Sequence, residues 1–107
     1  MGHKLEEFIN LVNEALRVAE SDLLELHRID GAEAQVRWLR NIIKALMQMK
    51  EDAAHGRLEP SRGIVTTGLL REVLDVGQCS SSQLVDTASA VESYYLHQLK
   101  SSDDFVR

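Results

Sequence analysis

The sequence predicts an all-α fold, a single-domain antiparallel bundle of four helices. Apolar residues recur at steps of three and four along most of the 107 residues, which is the spacing of one face of an α-helix. The interruptions fall at glycines and at the single proline, the residues that most often end helices. The connections between helical segments are short, so we expect successive helices to lie side by side in opposite directions.

The first two helices have the clearest patterns. We predict the first over residues 4–28, ended by Asp30-Gly31, and the second over about 32–55, ended by Gly56. The apolar row of the first helix is Leu5, Phe8, Val12, Ala15, Ala19, Leu23 and Leu26. The second helix has two adjoining rows, which are Val36, Leu39, Ile43 and Leu46, and Trp38, Ile42, Ala45 and Met49.

The third segment is ambiguous. Residues 64–67 are β-branched and lie between Gly63 and Gly68, a composition that favours a strand. A lone strand cannot satisfy its backbone hydrogen bonds, and no partner strand is evident elsewhere. We therefore predict a short helix over residues 62–76, with an irregular first turn and Ser61 as its cap.

A fourth helix is predicted over about 81–100, preceded by Ser80 and Gln83 in a capping-box pattern. Its inward-facing residues are Leu84, Ala88, Val91, Tyr95 and Leu99. Residues 101–107 are mostly polar and are predicted to form a flexible tail. The whole chain, residues 1–107, is therefore one predicted domain.

The composition argues against several classes of function. The formal net charge is −5, which argues against a nucleic-acid partner because phosphate binding needs clustered Lys and Arg. No apolar run approaches the roughly 18 residues of a membrane span, and the N-terminal residues lack the apolar core of a secretory leader. Cys79 is alone, so no internal disulfide is expected. These features predict a cytoplasmic protein with no membrane association.

The charge is uneven along the chain. Residues 1–30 carry a net −4, residues 31–62 a net +2 and residues 63–107 a net −3. One interpretation is an acidic first helix lying beside a basic second helix, and another is an acidic face that meets a basic partner. The basic row Arg37, Arg40 and Lys44 has the same two interpretations, pairing with the first helix or holding an anion. We favour pairing.

Candidate catalytic and metal-binding groups are few. A di-metal site in a helical bundle needs two Glu-x-x-His motifs and two further Glu residues, and the nearest match is a single Asp52-Ala-Ala-His55 at a helix end. Glu51 and His55 share a face, but two ligands do not hold a metal firmly. A helix-capping role explains His55 more simply. Cys79 has no neighbouring base in sequence, so an incidental cysteine is the simpler interpretation. We predict no catalytic residues, no metal and no cofactor.

Short motifs in three segments of the chain, taken in the order in which they occur, suggest a resemblance to a known protein family. They are Gln35, Trp38, Leu39 and Arg40 in the second helix, Val65, Gly68, Arg71 and Glu72 in the third segment, and Leu84 with Tyr94-Tyr95 in the fourth helix. This order resembles the small immunity proteins that accompany type VI secretion effectors, specifically those that guard against an NAD(P)-glycohydrolase toxin. The resemblance implies an immunity protein that docks on a cognate toxin and blocks its nucleotide substrate.

The resemblance also implies which residues bind. A toxin pocket for a phosphate-bearing substrate is expected to be basic, and acidic side chains can occupy it. The partner-binding candidates are Glu72, Asp75, Asp86 and Glu92, with Tyr94 as an aromatic anchor. Tyr94 has an equally good explanation as a ring lying over a neighbouring helix. The alternative function is a non-catalytic structural or regulatory protein that self-associates, for example as a homodimer, through the apolar stripes and an exposed Trp38.

Overall fold

The computed structural model describes residues 3–62 and 82–100. Three helices contain most of these residues: α1 (His3–Leu26), α2 (Glu33–Ala54) and α3 (Ser82–Gln98). No strand occurs in the described ranges, which agrees with the predicted all-α class. None of the three helices has the length and apolarity needed to cross a lipid bilayer.

The observed helices match the predicted first, second and fourth helices to within two residues at each end. The predicted third helix, beyond Arg62, and the predicted tail at 101–107 lie outside the described residues. The end of α1 is tightened by bonds from Arg28 N–H to the Glu25 carbonyl (3.1 Å) and from Ile29 N–H to the Leu26 carbonyl (3.0 Å). Such i→i−3 bonds are common where a helix ends.

Gly56 ends α2, as predicted. Its φ of 70° lies in the left-handed region, which glycine adopts without steric cost. Gly56 N–H donates to the Ala53 carbonyl at 3.3 Å, and Arg57 N–H donates to the Asp52 carbonyl at 2.7 Å. This pair of bonds is a Schellman motif, which satisfies carbonyls that the last turn of a helix would otherwise leave unpaired.

The core lies along α1, which packs against both α2 and α3. The ring of Phe8, near the start of α1, contacts the ring of Tyr95, near the end of α3, with 6.1 Å between centroids. The buried apolar side chains of α1 are Leu5, Phe8, Val12, Ala15, Leu16, Val18 and Ala19. Those of α2 and α3 are Leu39, Ile42, Leu46, Ala53, Leu84, Ala88, Val91 and Tyr95.

The segment 57–62 is fastened to the end of α3. The Tyr95 hydroxyl donates to the Glu59 carbonyl at 2.5 Å, and the Ser61 hydroxyl donates to the Leu96 carbonyl at 3.0 Å. Backbone N–H groups of Ser61 and Arg62 donate to the carbonyls of Leu99 and Lys100, at 2.8 and 2.9 Å. The bonds donated by Ser61 and Arg62 satisfy carbonyls at, and just beyond, the C-terminal end of α3, where the helix itself offers no donors.

Candidate functional site

The five predicted partner-binding residues have different environments. Glu72 and Asp75 lie outside the described residues. Asp86 is exposed on α3, whereas Tyr94 is half-buried and packs against the core. Glu92 is only 8% exposed. The described part of the chain therefore does not gather these side chains on one surface.

The burial of Glu92 follows from its position in the helix. Ala88, Tyr95 and Leu99 are buried, and position 92 falls at a helical step from each of them. The pKa of the Tyr95 hydroxyl is raised, first by burial, then by the carboxylate of Glu59 and last by the carboxylate of Glu92. The same spacing was visible in the sequence and would have placed Glu92 in the inward row. So little of it reaches the surface that it is a poor candidate for partner contact.

The acidic surface of the described residues lies on α1. Five glutamates of α1 are exposed: Glu6, Glu7, Glu14 and Glu25, and also Glu20, which lines a cleft bordered by residues of α2. Glu14 pairs with Arg17, which lowers the pKa of the Glu14 carboxyl, and Glu25 lies 3.6 Å from Arg28. The other three form no ion pair with the described residues. The surface of α1 therefore carries negative charge that no ion pair with the described residues compensates.

The basic row of α2 does not pair with α1 as the sequence interpretation favoured. Arg37, Arg40 and Lys44 are exposed, and none forms an ion pair or a side-chain hydrogen bond with the described residues. The described ion pairs link residues close in sequence, such as Arg57 with Asp52 at 3.3 Å. The reason is geometric: the row lies on the side of α2 opposite its buried residues, and so points away from α1.

Two open clefts border α1 and α2. The larger, about 460 Å³, is formed at the connection between the helices, and the other, about 430 Å³, lies nearer the end of α2. The first is lined by Leu26, His27, Ile29, Asp30, Ala32, Glu33, Val36, Arg37 and Arg40. The second is lined by Leu16, Glu20, Met47, Lys50, Glu51, Ala54 and His55.

Glu51 and His55, the two candidate metal ligands, interact with other groups in the structure. The His55 ring Nδ1 lies 2.9 Å from the Glu51 carbonyl oxygen, and the Glu51 carboxylate lies 3.8 Å from Arg57. This is the geometry of a helix end with an adjacent cation. Among residues 3–62 and 82–100, no three His, Cys, Asp or Glu side chains are grouped as a metal ion would require. Cys79 lies outside these ranges.

Trp38 differs from its expected exposure. It is half-buried and packs against the core, and its indole Nε1 is buried without a hydrogen-bond partner among the described residues. The side-chain oxygen of Gln35, one turn earlier, is likewise buried without a hydrogen-bond partner among the described residues. The large hydrophobic residues that are exposed in the described ranges are instead Leu24, Ile29 and Met47. The apolar stripe of α2 is broad, and its sequence pattern could not show which side of the stripe would be covered by neighbouring parts of the chain.

Comparison with known proteins adds no relative: no protein family, curated protein or solved structure matches this chain.

Proposed function

We propose that this chain is a non-catalytic protein-binding module, and specifically an immunity protein that neutralises a cognate bacterial toxin. The observation that carries the proposal is the surface of α1, on which five glutamates are exposed and three form no ion pair with the described residues. Exposed carboxylates on a helix suit a basic surface on another protein.

The mechanism is steric and electrostatic. Carboxylates at the surface raise the rate of encounter with a basic partner, and this effect weakens as salt screens the charges. Once docked, the helical domain would cover the entrance of the toxin's active site and exclude its substrate. Asp86 and the partly exposed Tyr94 on α3 remain candidates for additional contacts, since tyrosine is common at the centre of protein interfaces.

The toxin-inhibitor form of the proposal rests on the sequence resemblance to type VI secretion immunity proteins. Such an inhibitor protects the cell that makes the toxin, so we place it in the cytoplasm, where it meets the toxin before export. The predicted partner is therefore a protein, and the proposal needs neither a cofactor nor a metal.

We also propose the complete four-helix antiparallel bundle. The bonds from Ser61 and Arg62 to the end of α3 place residue 62 beside residue 100. In this proposal, residues 63–81 connect that point to the start of α3, a helix of 17 residues and thus about 25 Å long. The predicted helix over residues 62–76 would span about 22 Å, so one helix running opposite to α3, followed by a short connection, fits this distance.

Co-expression with the product of the neighbouring gene tests the function. A stable complex on size-exclusion chromatography, together with protection of cells from that product's toxicity, is expected. The absence of both a complex and protection would overturn the proposal.

A charge-reversal variant tests the surface. Replacing Glu6 and Glu7 with Lys should slow association several-fold at low salt, and the difference should shrink at high salt. Asp30→Lys, an exposed carboxylate in the connection after α1, is the matched control and should bind normally. Unchanged association rates for the Glu6 and Glu7 variant would show that α1 is not the binding face.

A further inference from the structure

The outer side of α2 carries the basic row, which the proposed function does not use. Arg37, Arg40 and Lys44 follow one another at steps of three and four residues, so they share one edge of the helix. All three are exposed, and none forms an ion pair with the described residues. The row is therefore a cationic edge on a chain whose formal net charge is −5.

The carboxylates of α2 do not neutralise this row. Residues 34–50 contain four cations and no Asp or Glu, so the carboxylates that flank them in the helix are Glu33 and Glu51. Glu33 stands four residues before Arg37, a spacing that favours an ion pair on a helix, yet the two form none. Glu51 lies 3.8 Å from Arg57 instead. The row therefore keeps its charge available for another molecule.

Exposed apolar side chains adjoin the basic row. Ile29, which is 58% exposed, lines the same cleft as Arg37 and Arg40, together with Asp30 and Glu33. Met47, also 58% exposed, follows Lys44 by three residues, and so lies on the same side of α2. Arginine and methionine are both enriched at protein interfaces. A nucleic acid fits this surface less well, because phosphates leave the apolar groups uncovered and the acidic chain repels them.

We propose that the basic row binds an acidic helix of a partner protein. Arg37 and Lys44 are seven residues apart, which is about 10 Å along the helix axis. A partner helix whose carboxylates recur at steps of three and four has the same rise, so it can present one carboxylate to each cation. An extended segment places the side chains of one face nearly 7 Å apart and matches the row less closely. Apolar residues beside those carboxylates cover Met47.

The partner of the basic row differs from the partner proposed for α1. The exposed glutamates of α1 suit a basic surface, whereas the row on α2 suits an acidic one. Guanidinium groups bind carboxylates through two parallel hydrogen bonds, so Arg37 and Arg40 also fix the orientation of the helix that docks. The row is therefore a second binding surface, separate from the one that carries the immunity proposal.

Fluorescence anisotropy with a labelled synthetic helix tests this proposal without any toxin. The probe has about five turns, with glutamates at steps of three and four along one edge and leucines beside them. Binding is expected at low salt and should weaken as salt screens the charges. A second probe of the same composition, with its glutamates spread around the helix, should bind about tenfold more weakly. Undetectable binding of the first probe, or equal binding of both, would overturn the proposal.

Two lysines of α2 provide a matched pair of variants. Lys44→Glu and Lys50→Glu make the same change of charge on the same helix, but Lys50 lines the cleft that also contains Glu20 and lies on another side of α2. Lys44→Glu should weaken binding of the first probe about tenfold, because it replaces an attraction with a repulsion. Lys50→Glu should weaken it less than about threefold. Equal losses would show that only net charge matters and would contradict a docking row. Circular dichroism verifies that both variants keep their helices.

Other occupants of the basic row give different results. A single-stranded DNA probe of equal charge that binds more tightly than the acidic helix would assign the row to nucleic acid. Sedimentation velocity that shows self-association of the chain, abolished by Lys44→Glu, would assign it to a second copy. Either result would overturn the proposal. Because no toxin is present in these measurements, their outcome is independent of the immunity function.

Discussion

The Tyr95 hydroxyl donates a hydrogen bond to the Glu59 backbone carbonyl oxygen across 2.5 Å, and this bond joins the segment after α2 to the end of α3. The ring of Tyr95 also contacts Phe8 of α1. A single side chain of α3 thus contacts α1 and the segment that follows α2. Its hydroxyl and its ring can be tested separately.

Tyr95→Phe removes the hydroxyl and keeps the ring. The Glu59 carbonyl then loses its donor, and we expect the free energy of unfolding to fall by about 1 kcal/mol, the usual net value of such a bond. Urea denaturation followed by circular dichroism measures this change. Ser93→Ala, at an exposed position in α3, is the control and should change stability by less than about 0.5 kcal/mol.

Tyr95 should titrate above the usual range for tyrosine. Burial raises the pKa of its hydroxyl, and the carboxylates of Glu59 and Glu92 raise it further. In the Tyr94→Phe variant, the absorbance change of tyrosinate formation reports Tyr95 alone, and its midpoint should exceed that of a free tyrosine. A midpoint at the ordinary value near 10 would contradict the observed burial.

The raised pKa of Tyr95 also determines how the stability of the protein changes with pH. Above about pH 10 the unfolded chain loses the Tyr95 proton while the folded chain retains it. The stability that comes from this retained proton is complete below pH 10 and is lost as the pH rises through the folded-state value. Tyr95→Phe should therefore lose less stability between pH 9 and pH 11 than the natural chain.

Ser61→Ala tests the second side-chain bond to α3. Ser61 is fully buried, and its hydroxyl donates to the Leu96 carbonyl. Its removal should cost about 1–2 kcal/mol, because a buried acceptor loses a partner. Ser93→Ala, at an exposed position in α3, should be neutral or slightly stabilising, since alanine has the higher helix propensity. Equal stability of the two variants in urea would contradict the role assigned to Ser61.

Two neighbouring residues of α2 distinguish the core from the surface. Leu46 is fully buried, whereas Met47 is mostly exposed. Leu46→Ala should lower the free energy of unfolding by about 2–5 kcal/mol, through lost burial and the cavity left behind. Met47→Ala should change it by less than about 0.5 kcal/mol. Measurement at low protein concentration and high salt keeps self-association from contributing.

The local pattern of the sequence was sufficient to predict the described helices. Steps of three and four correctly placed Phe8, Val12, Leu39, Leu84 and Val91 in the core. Gly56 was correctly expected to end α2, because its backbone freedom is a property of the residue itself. Each of these features depends on residues within one or two turns of each other.

The long-range features were not predictable in the same way. The bond from Ser61 to Leu96 joins residues 35 apart, and nothing in the composition of either segment indicates the other. The position of Trp38 depends on which edge of a broad apolar stripe is covered, which is decided by neighbouring helices. The candidate binding residues were chosen from a resemblance to a family. Of their environments, only the burial of Glu92 could have been predicted from the helical spacing.

The bonds between residues 59–62 and residues 95–100 also affect how quickly the chain folds and unfolds. Closing a loop of about 35 residues costs on the order of 3 kcal/mol of chain entropy, whereas α1 and α2 meet through a six-residue turn. The helical hairpin should therefore form early, and the Tyr95 and Ser61 bonds should form after the transition state for folding. Tyr95→Phe should then accelerate unfolding while leaving the refolding rate nearly unchanged, so these two bonds act chiefly to prolong the lifetime of the native state.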